Sequence, residues 1–376
     1  MEKETGDVTT RAPDVNQLRN MIQSNAVELV KKNKYILLTW ATGCGKSLAA
    51  LKMVDHMNKT LESGVSGYLI CKEHSHLSNW EKDIEKHNMK HLLNDMTMFL
   101  YDSLHKYEGP VDYVILDECH AITEKRLEYL MDIVGESTVI IMLSATVNPE
   151  KLELLRALCK GPLVQSNITI SEAIKYGLLP SPKLYVHFYG LNKTEHKEYH
   201  EITVELEKYR RKFFMNRDIW AKNKWVNLGS TRKRIMAEMK TKRAKELIEK
   251  EFKGSRFICF TGSKKQCEEI GGEKFVHSDL KSKEVIDKKD LFNEGKIDEL
   301  YVVNMFRESI NLVNVQKGLI VQLDNVKLSF IQMLGRVFRS EFPEMHIMVL
   351  KQTQDEKYYR NIIKGFNKEY IIVINH

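Results

Sequence analysis

Short apolar runs rich in β-forming residues recur through the first part of the chain, at 35–40, 67–71, 97–101, 113–117 and 138–144, separated by longer amphipathic stretches. Strands that are apolar throughout, alternating with helical stretches, predict a parallel sheet covered by helices on both faces. The pattern breaks after Ile170 and resumes at 256–261, 274–277, 299–304, 318–322 and 346–350. Two α/β halves are therefore expected. Between them, 191–253 has almost no strand signal and places Ile202, Leu206, Tyr209 and Phe213 at helical spacing, with Ile219, Trp220 and Trp225 following. This stretch predicts a helical, basic bridge, and the chain divides on this reading into 1–165, a connecting segment 166–253 and 254–376.

Composition narrows the picture only in part. A chain of 376 residues that is 43% hydrophobic can bury more than one sizeable core. Its net charge of +7 is compatible with a polyanionic partner but does not establish one. The basic residues of the bridge come in clusters, Lys208-Arg210-Arg211-Lys212, Arg232-Lys233-Arg234 and Lys240-Lys242-Arg243-Lys245. Solvated helix faces account for such runs, and a nucleic-acid contact among them is the sharper alternative. The six cysteines show no metal-ligand spacing and several sit in apolar runs, which predicts reduced, buried thiols. The N-terminal residues lack the apolar core of a signal peptide, and no apolar run approaches the roughly 20 residues of a membrane span. A cytoplasmic protein with no membrane partner is expected.

The chemistry begins at 35–47. An apolar strand runs into Ala41-Thr42-Gly43-Cys44-Gly45-Lys46-Ser47, and a helix is expected from Lys46. Gly43 and Gly45 permit backbone angles that turn N–H groups of the Thr42 to Ser47 loop towards phosphate oxygens, and the helix start adds its positive dipole end. Lys46 is expected to bridge the terminal phosphates of a nucleotide, and Ser47 to ligate Mg²⁺. Trp40 stands where the full GxxxxGK[ST] pattern has glycine. A second apolar strand, 113–116, runs into Asp117-Glu118-Cys119-His120. Acids at the carboxyl edge of a parallel sheet stand where ligands bind. Asp117 is expected to hold Mg²⁺ through its water shell, and Glu118 to orient and deprotonate the attacking water.

Taken with Ser144-Ala145-Thr146 after the next strand, Asp117-Glu-Cys-His120 resembles the DExH box and third motif of superfamily 2 helicases. The UvsW-like, RecG-like and restriction-motor members are the nearest in pattern, because of the DECH box, Asn79-Trp80 and the Gly335-Arg-Val-Phe-Arg339 form of a later motif. The resemblance implies two tandem RecA-like domains, ATP and Mg²⁺ as cofactors, and a nucleic-acid-stimulated ATPase. By it, Gln23 fits an adenine-reading position better than Gln17, 69–80 corresponds to motif Ia with Lys72 as a nucleic-acid contact, and His120, Ser144 and Thr146 couple hydrolysis to movement. Gln332, Arg336 and Arg339 make the QxxGRxxR pattern of motif VI, and on a helix beginning near Gln332 they share one face. Arginine suits that place because its planar, permanently charged fork neutralises charge on a transferring phosphoryl group. Thr261, Gly262 and Ser263 occupy motif IV, and Asn304 and Arg307 the motif V region, as further nucleic-acid contacts. Motif V departs from the family pattern, with Ser309-Ile310-Asn311 where Gly-Ile-Asp is common.

The function implied is an ATP-dependent helicase or translocase, with DNA preferred over RNA by analogy. It would be a monomeric motor with replication, recombination or restriction partners, in a host cytoplasm if phage-encoded. Two alternatives stand beside it. One is an ATP-switched binding or annealing module, and the other is the motor subunit of a restriction-type complex.

Overall fold

A computed structural model of the chain describes residues 15–61, 64–303, 312–338, 340–364 and 366–376. It divides into two compact units, Met1–Leu179 and Pro180–His376. The first contains α1 (Val15–Val30), β1 (Tyr35–Trp40), α2 (Lys46–Thr60), β2 (Gly67–Cys71), α3 (His74–Lys86), β3 (Met96–Leu100), β4 (Tyr113–Leu116), α4 (Glu124–Ile133), β5 (Val139–Ser144), α5 (Pro149–Leu158), β6 (Leu163–Ile168) and α6 (Ile170–Lys175). Its strands form a parallel sheet in the order β3-β2-β4-β5-β1-β6. Leu37, Val114, Leu116, Ile140 and Met142 of the central strands meet Leu127, Leu130 and Ile133 of α4 and Leu155 and Leu158 of α5 in one buried cluster. The helix starts are fixed locally: Thr123 and Asn148 cap α4 and α5, and Thr169 with Glu172 forms a capping box on α6.

The second unit contains β7 (Lys183–Tyr189), α7 (Lys193–Asn216), α8 (Ile219–Glu251), β8 (Phe257–Thr261), α9 (Lys264–Gly271), β9 (Phe275–Val276), α10 (Ser282–Asn293), β10 (Glu299–Val303), β11 (Lys317–Ile320), α11 (Lys327–Val337), β12 (Glu344–Leu350), α12 (Gln354–Ile362) and β13 (Ile371–Asn375). Its sheet is also parallel, ordered β13-β7-β12-β11-β8-β10-β9. The expected ten strands are all present, within one or two residues at their ends, and β6, β7 and β13 are additional.

The helical bridge takes a different form from the expectation. Strand β7 lies inside the second sheet, between β13 and β12, so α7 and α8 are an excursion within the second unit. The third basic cluster also departs from a solvated face. Lys240 is 0% exposed and its ammonium lies 2.5 Å from Asp355 Oδ2. The same ammonium donates to the carbonyl of Val321 at 2.8 Å and to Gln322 Oε1 at 3.0 Å, so the charge is fully partnered in the core. Arg243 forks onto both carboxylate oxygens of Glu195, 2.8 Å each, and ties α8 to the capped start of α7. Only the cluster at Lys208 to Lys212 is fully solvent-facing in its basic residues.

Three histidines form a hydrogen-bonded row across β12, β7 and the C-terminal strand. His346 Nδ1 lies 3.0 Å from His187 Nε2, and His187 Nδ1 3.0 Å from His376 Nε2. His346 Nε2 is buried without a hydrogen-bond partner, which favours the tautomer in which each Nδ1–H donates to the next ring. Burial, with His376 beside it, pulls His187 down to about 4, and burial, with His187 and Lys317 nearby, pulls His346 down to about 3. Lys250 and Glu251 also face the row. Unfolded histidine titrates near 6.5, so below that pH the unfolded chain takes up the protons. Stability of the second unit is thus fully present above pH ~6.5 and falls as pH drops towards the folded values. Each buried ring is expected to withdraw about 1–2 kcal/mol by pH 5. His346→Phe keeps a flat ring between Tyr185 and Phe252 but removes one titrating group. The drop in melting temperature between pH 7 and pH 5, followed by calorimetry, should be smaller in that variant; an unchanged drop would place the acid sensitivity elsewhere.

Candidate active site

The carboxyl ends of β2, β4, β5 and β1 lie side by side in the first sheet, and the predicted chemistry hangs from them. After β1, Gly43 and Gly45 have φ of 91° and 84°, in the left-handed region that glycine enters without strain. A side chain at Gly45 would also collide with Gln23, whose Nε2 lies 2.6 Å from the position a Cβ would take. Helix α2 begins at Lys46 as expected, with no side-chain cap. Its first intrahelical bond is from Ala49 N–H to the Gly45 carbonyl, so the N–H groups of Lys46, Ser47 and Leu48 precede the helical ladder. The Lys46 ammonium donates to the Trp40 carbonyl at 2.8 Å.

Trp40, the residue outside the usual glycine pattern, is buried, and its indole N–H donates to Ser166 Oγ of β6 at 3.0 Å. It therefore fastens the root of the loop to the neighbouring edge strand. Gln23 is 4% exposed and accepts from Lys52 Nζ at 2.7 Å, so α1 holds an amide directly against the loop. Thr42 is half-buried, while Cys44 is buried, and burial raises its thiol to about 11. It is a neutral packing residue.

After β4 the chain turns sharply. Glu118 has φ 46° and ψ 51°, a left-handed conformation in a non-glycine residue, which leads into a short helical turn at Cys119–Ala121. Asp117 Oδ2 accepts from the indole N–H of Trp80 at 2.9 Å, and its backbone carbonyl accepts from the buried Tyr101 hydroxyl at 3.1 Å. His76 Nδ1 lies 3.9 Å from the same carboxylate oxygen. Burial, with Glu118 alongside, pushes the Asp117 carboxyl up. Burial acts on Glu118 in the same sense, but the close approach of the His120 imidazole and the charge of Lys46 outweigh it and hold Glu118 down at about 2. The two adjacent acids are thereby set apart, Asp117 pushed up and Glu118 held down.

His120 Nδ1 stands 3.2 Å from Glu118 Oε2 and 3.1 Å from Ser144 Oγ. Ser144, fully buried, donates to the Thr146 carbonyl at 2.7 Å. Its hydroxyl proton is committed there, so it accepts from an Nδ1–H of His120. Glu118, His120, Ser144 and Thr146 thus form one chain of contacts running from β4 to the end of β5. Lys72 is half-buried just beyond β2. The sequence reading singled out Asn79-Trp80 as a pattern but assigned Trp80 no role. Its contact with Asp117 depends on helix α3 lying over the end of β4, which no local spacing reveals.

In the second unit, Thr261 is fully buried and its hydroxyl donates to the Val302 carbonyl at 3.2 Å, so it serves the sheet rather than an exposed surface. Ser263 caps α9, accepting from Gln266 N–H at 3.2 Å. Gly262 lies against α8 and the segment that follows β11, where a Cβ would come within 2.8 Å of both Ala237 and Gln322. Helix α11 starts at Lys327, five residues earlier than expected, because Phe330, Met333, Leu334 and Val337 supply an apolar face ahead of and through the polar pattern. Gln332 is 7% exposed and Arg336, one turn on, is half-buried. Arg339, Asn304, Arg307, Ser309 and Asn311 lie outside the described residues.

Residues 239–341 match the family described as the helicase conserved C-terminal domain. No curated protein matches the chain. Among solved structures, Saccharomyces cerevisiae Dbp5 bound to RNA and ADP BeF3 is similar over 97% of this chain and 94% of its own, at 12% identity and a TM-score of 0.61. The Pyrococcus furiosus Hef helicase domain is similar over 93% and 97%, at 13% identity and a TM-score of 0.57. The ATP-dependent Type ISP restriction-modification enzyme LlaBIII bound to DNA is similar over 98% of this chain and 31% of its own, at 11% identity and a TM-score of 0.59. The chain thus has the fold of two tandem RecA-like α/β domains, and residues 239–341 of the second carry the match to the helicase conserved C-terminal domain.

Proposed function

We propose that the protein is an ATP-dependent nucleic-acid helicase or translocase acting on DNA. The observation that carries this is the uncapped start of α2 behind two left-handed glycines, with Lys46 at its head and the Asp117-Glu118 pair on a nearby strand end. This cradle fits a nucleotide triphosphate: N–H groups and a lysine for phosphate, and a hydroxyl and carboxylate for a hard divalent cation. ATP and Mg²⁺ are the proposed pair, and the cation supplies charge neutralisation on the phosphates when bound.

The chain's own residues do the rest. Lys46 exchanges its contact with the Trp40 carbonyl for phosphate oxygens, Gln23 contributes its amide beside the loop, and Ser47 and Asp117 hold the cation. Glu118, ionised and 3.2 Å from His120 Nδ1, orients the attacking water and takes its proton. His120 and Ser144 pass the state of Glu118 to the end of β5. Arg336 and Arg339 are proposed to neutralise the charge that builds on the phosphoryl group, and Lys72, Gly262, Ser263, Asn304 and Arg307 to meet the strand through its phosphates. Dbp5 was solved with RNA and LlaBIII with DNA, so the neighbours alone leave the polymer open. Purified protein should hydrolyse ATP faster with DNA than with RNA in a panel of single-stranded, duplex and branched DNA and single-stranded RNA. Greater stimulation by RNA overturns the DNA assignment, and hydrolysis with no strand or triplex displacement turns the reading to an ATP-switched binding module.

Trp80 offers a finer check on the cation site. Trp80→Phe retains an aromatic ring but removes the N–H that orients Asp117. Loss of such an outer-shell hydrogen bond is expected to raise the Mg²⁺ concentration for half-maximal hydrolysis on the order of tenfold, with the saturated rate little changed. An Mg²⁺ titration identical to that of the unaltered protein would remove Trp80 from the site.

A further inference from the structure

Helices α7 and α8 form a hairpin joined through Arg217, which enters the left-handed region at φ 54°, and Asp218, which caps α8 by accepting from Ala221 N–H at 3.1 Å. At the base of the hairpin, Tyr199 and Arg232 reach Gln354 of the unit's body. Among the described residues, the hydrogen bonds, ion pairs and ring contacts of 203–231 are internal to the hairpin. At 1.5 Å per residue, the helix from Tyr199 to Asn216 extends roughly 25 Å beyond that anchor.

The inner seam is small and apolar, with Leu206, Ala221 and Leu228 buried. The tip is different. Phe214 is 53% exposed and Trp220 is 59% exposed. The rings are nevertheless braced: Trp220 stands edge-on to Tyr209 at 5.4 Å, and Trp225 touches both Phe213 and Phe214. Between 208 and 224 the chain carries seven basic residues and one acid, Asp218, a net of +6. Asp218 is taken by Lys212 at 3.2 Å, while Arg211, Lys222 and Lys224 are exposed with no acidic partner among the described residues.

Exposed, pre-positioned rings set among an excess of cations, some of which already lie over ring faces, match one ligand chemistry closely. Phosphates meet the cations and unstacked bases meet the ring faces, without sequence preference. We propose that the tip of this hairpin is a contact site for single-stranded nucleic acid, with Trp220 and Phe214 stacking on unpaired bases and Arg211, Lys222 and Lys224 holding the backbone. A second copy of the same tip is disfavoured by the repulsion of two such charges. The proposal rests on the nucleic-acid reading above, and the tip supplies what that reading lacks, a surface that distinguishes single strand from duplex.

The test uses the full chain and a fluorescein-labelled thymidine 20-mer, its duplex with an adenine 20-mer, and anionic phosphatidylserine-containing vesicles. Phe214→Ala with Trp220→Ala should weaken single-strand binding by at least about tenfold, leave duplex binding within about twofold, and leave basal ATPase and helical content unchanged. Lys222→Glu with Lys224→Glu should weaken binding and flatten its salt dependence. Wild-type nucleic-acid binding that the aromatic variant retains in full overturns the tip site while the helicase reading stands. Preference of the wild-type tip for vesicles over the 20-mer also overturns it. Absence of any nucleic-acid binding or stimulation in the wild type overturns both.

Discussion

Lys46→Ala is expected to lower nucleic-acid-stimulated ATP hydrolysis by about 10²- to 10³-fold while leaving the fold intact. In the structure the ammonium reaches the Trp40 carbonyl at 2.8 Å from a half-buried position, and the loop around it is held by other means. Trp40 is fastened to Ser166, and Gln23 braces Gly45 from α1. Removing the amine therefore subtracts charge from the proposed phosphate cradle without unfastening the loop. Arg336→Ala should lower turnover comparably, by about 10³-fold, if the arginine stabilises the transferring phosphoryl group. Steady-state ATPase assays with saturating nucleic acid, paired with thermal denaturation, measure both quantities. Near-normal turnover in folded Lys46→Ala protein would remove the ATPase assignment altogether.

The largest expected effect on stability lies in the second unit. Lys240→Ala should cost about 3–5 kcal/mol, because it leaves the Asp355 carboxylate buried without its counter-charge. The loss is concentrated there: Asp355 is 0% exposed, and its remaining contacts are Leu350 N–H at 3.2 Å and Gln322 Nε2 at 3.2 Å. The carbonyl of Val321 would lose its donor as well. Lys240→Met combined with Asp355→Asn removes both charges and keeps an acceptor for Leu350, so it should recover a large part of the loss. Urea denaturation followed by circular dichroism, with the dependence on urea compared between variants, resolves the two cases. A single Lys240→Ala variant as stable as the unaltered protein would mean that the ion pair contributes nothing net.

Lys240 also shows where sequence reading stops. In the chain it stands among Lys242, Arg243 and Lys245 and looks like one more solvated cation. Its neutralisation depends on Asp355, more than a hundred residues away, which local spacing cannot reveal. The glycine loop at 41–47 and the helix start behind it were legible because their physics is local: two glycines, a lysine and a helix start within seven residues. The strands at 35–40, 67–71 and 113–116 were legible because they are buried on both faces and read as unbroken apolar runs. Strand β6, with Gln165, Ser166 and Asn167, was not, since it lies at a sheet edge and is only half-buried. Strand β7 hid behind His187, a polar residue in the middle of the run whose ring is buried between His346 and His376. The early start of α11 follows from an apolar face that the search for a polar motif passed over.

The conformation of Glu118 carries a consequence for anyone improving this protein. A glutamate held at φ 46° is in a region where its side chain crowds the backbone, at a cost on the order of 1–2 kcal/mol that glycine, and in part asparagine, avoids. Selection of variants for heat resistance alone would therefore favour either residue at 118, and would remove the ionised acid beside His120 with each success. On the proposed mechanism, thermal tolerance and turnover pull in opposite directions at this one position, so a stabilisation campaign would hold it fixed and look elsewhere.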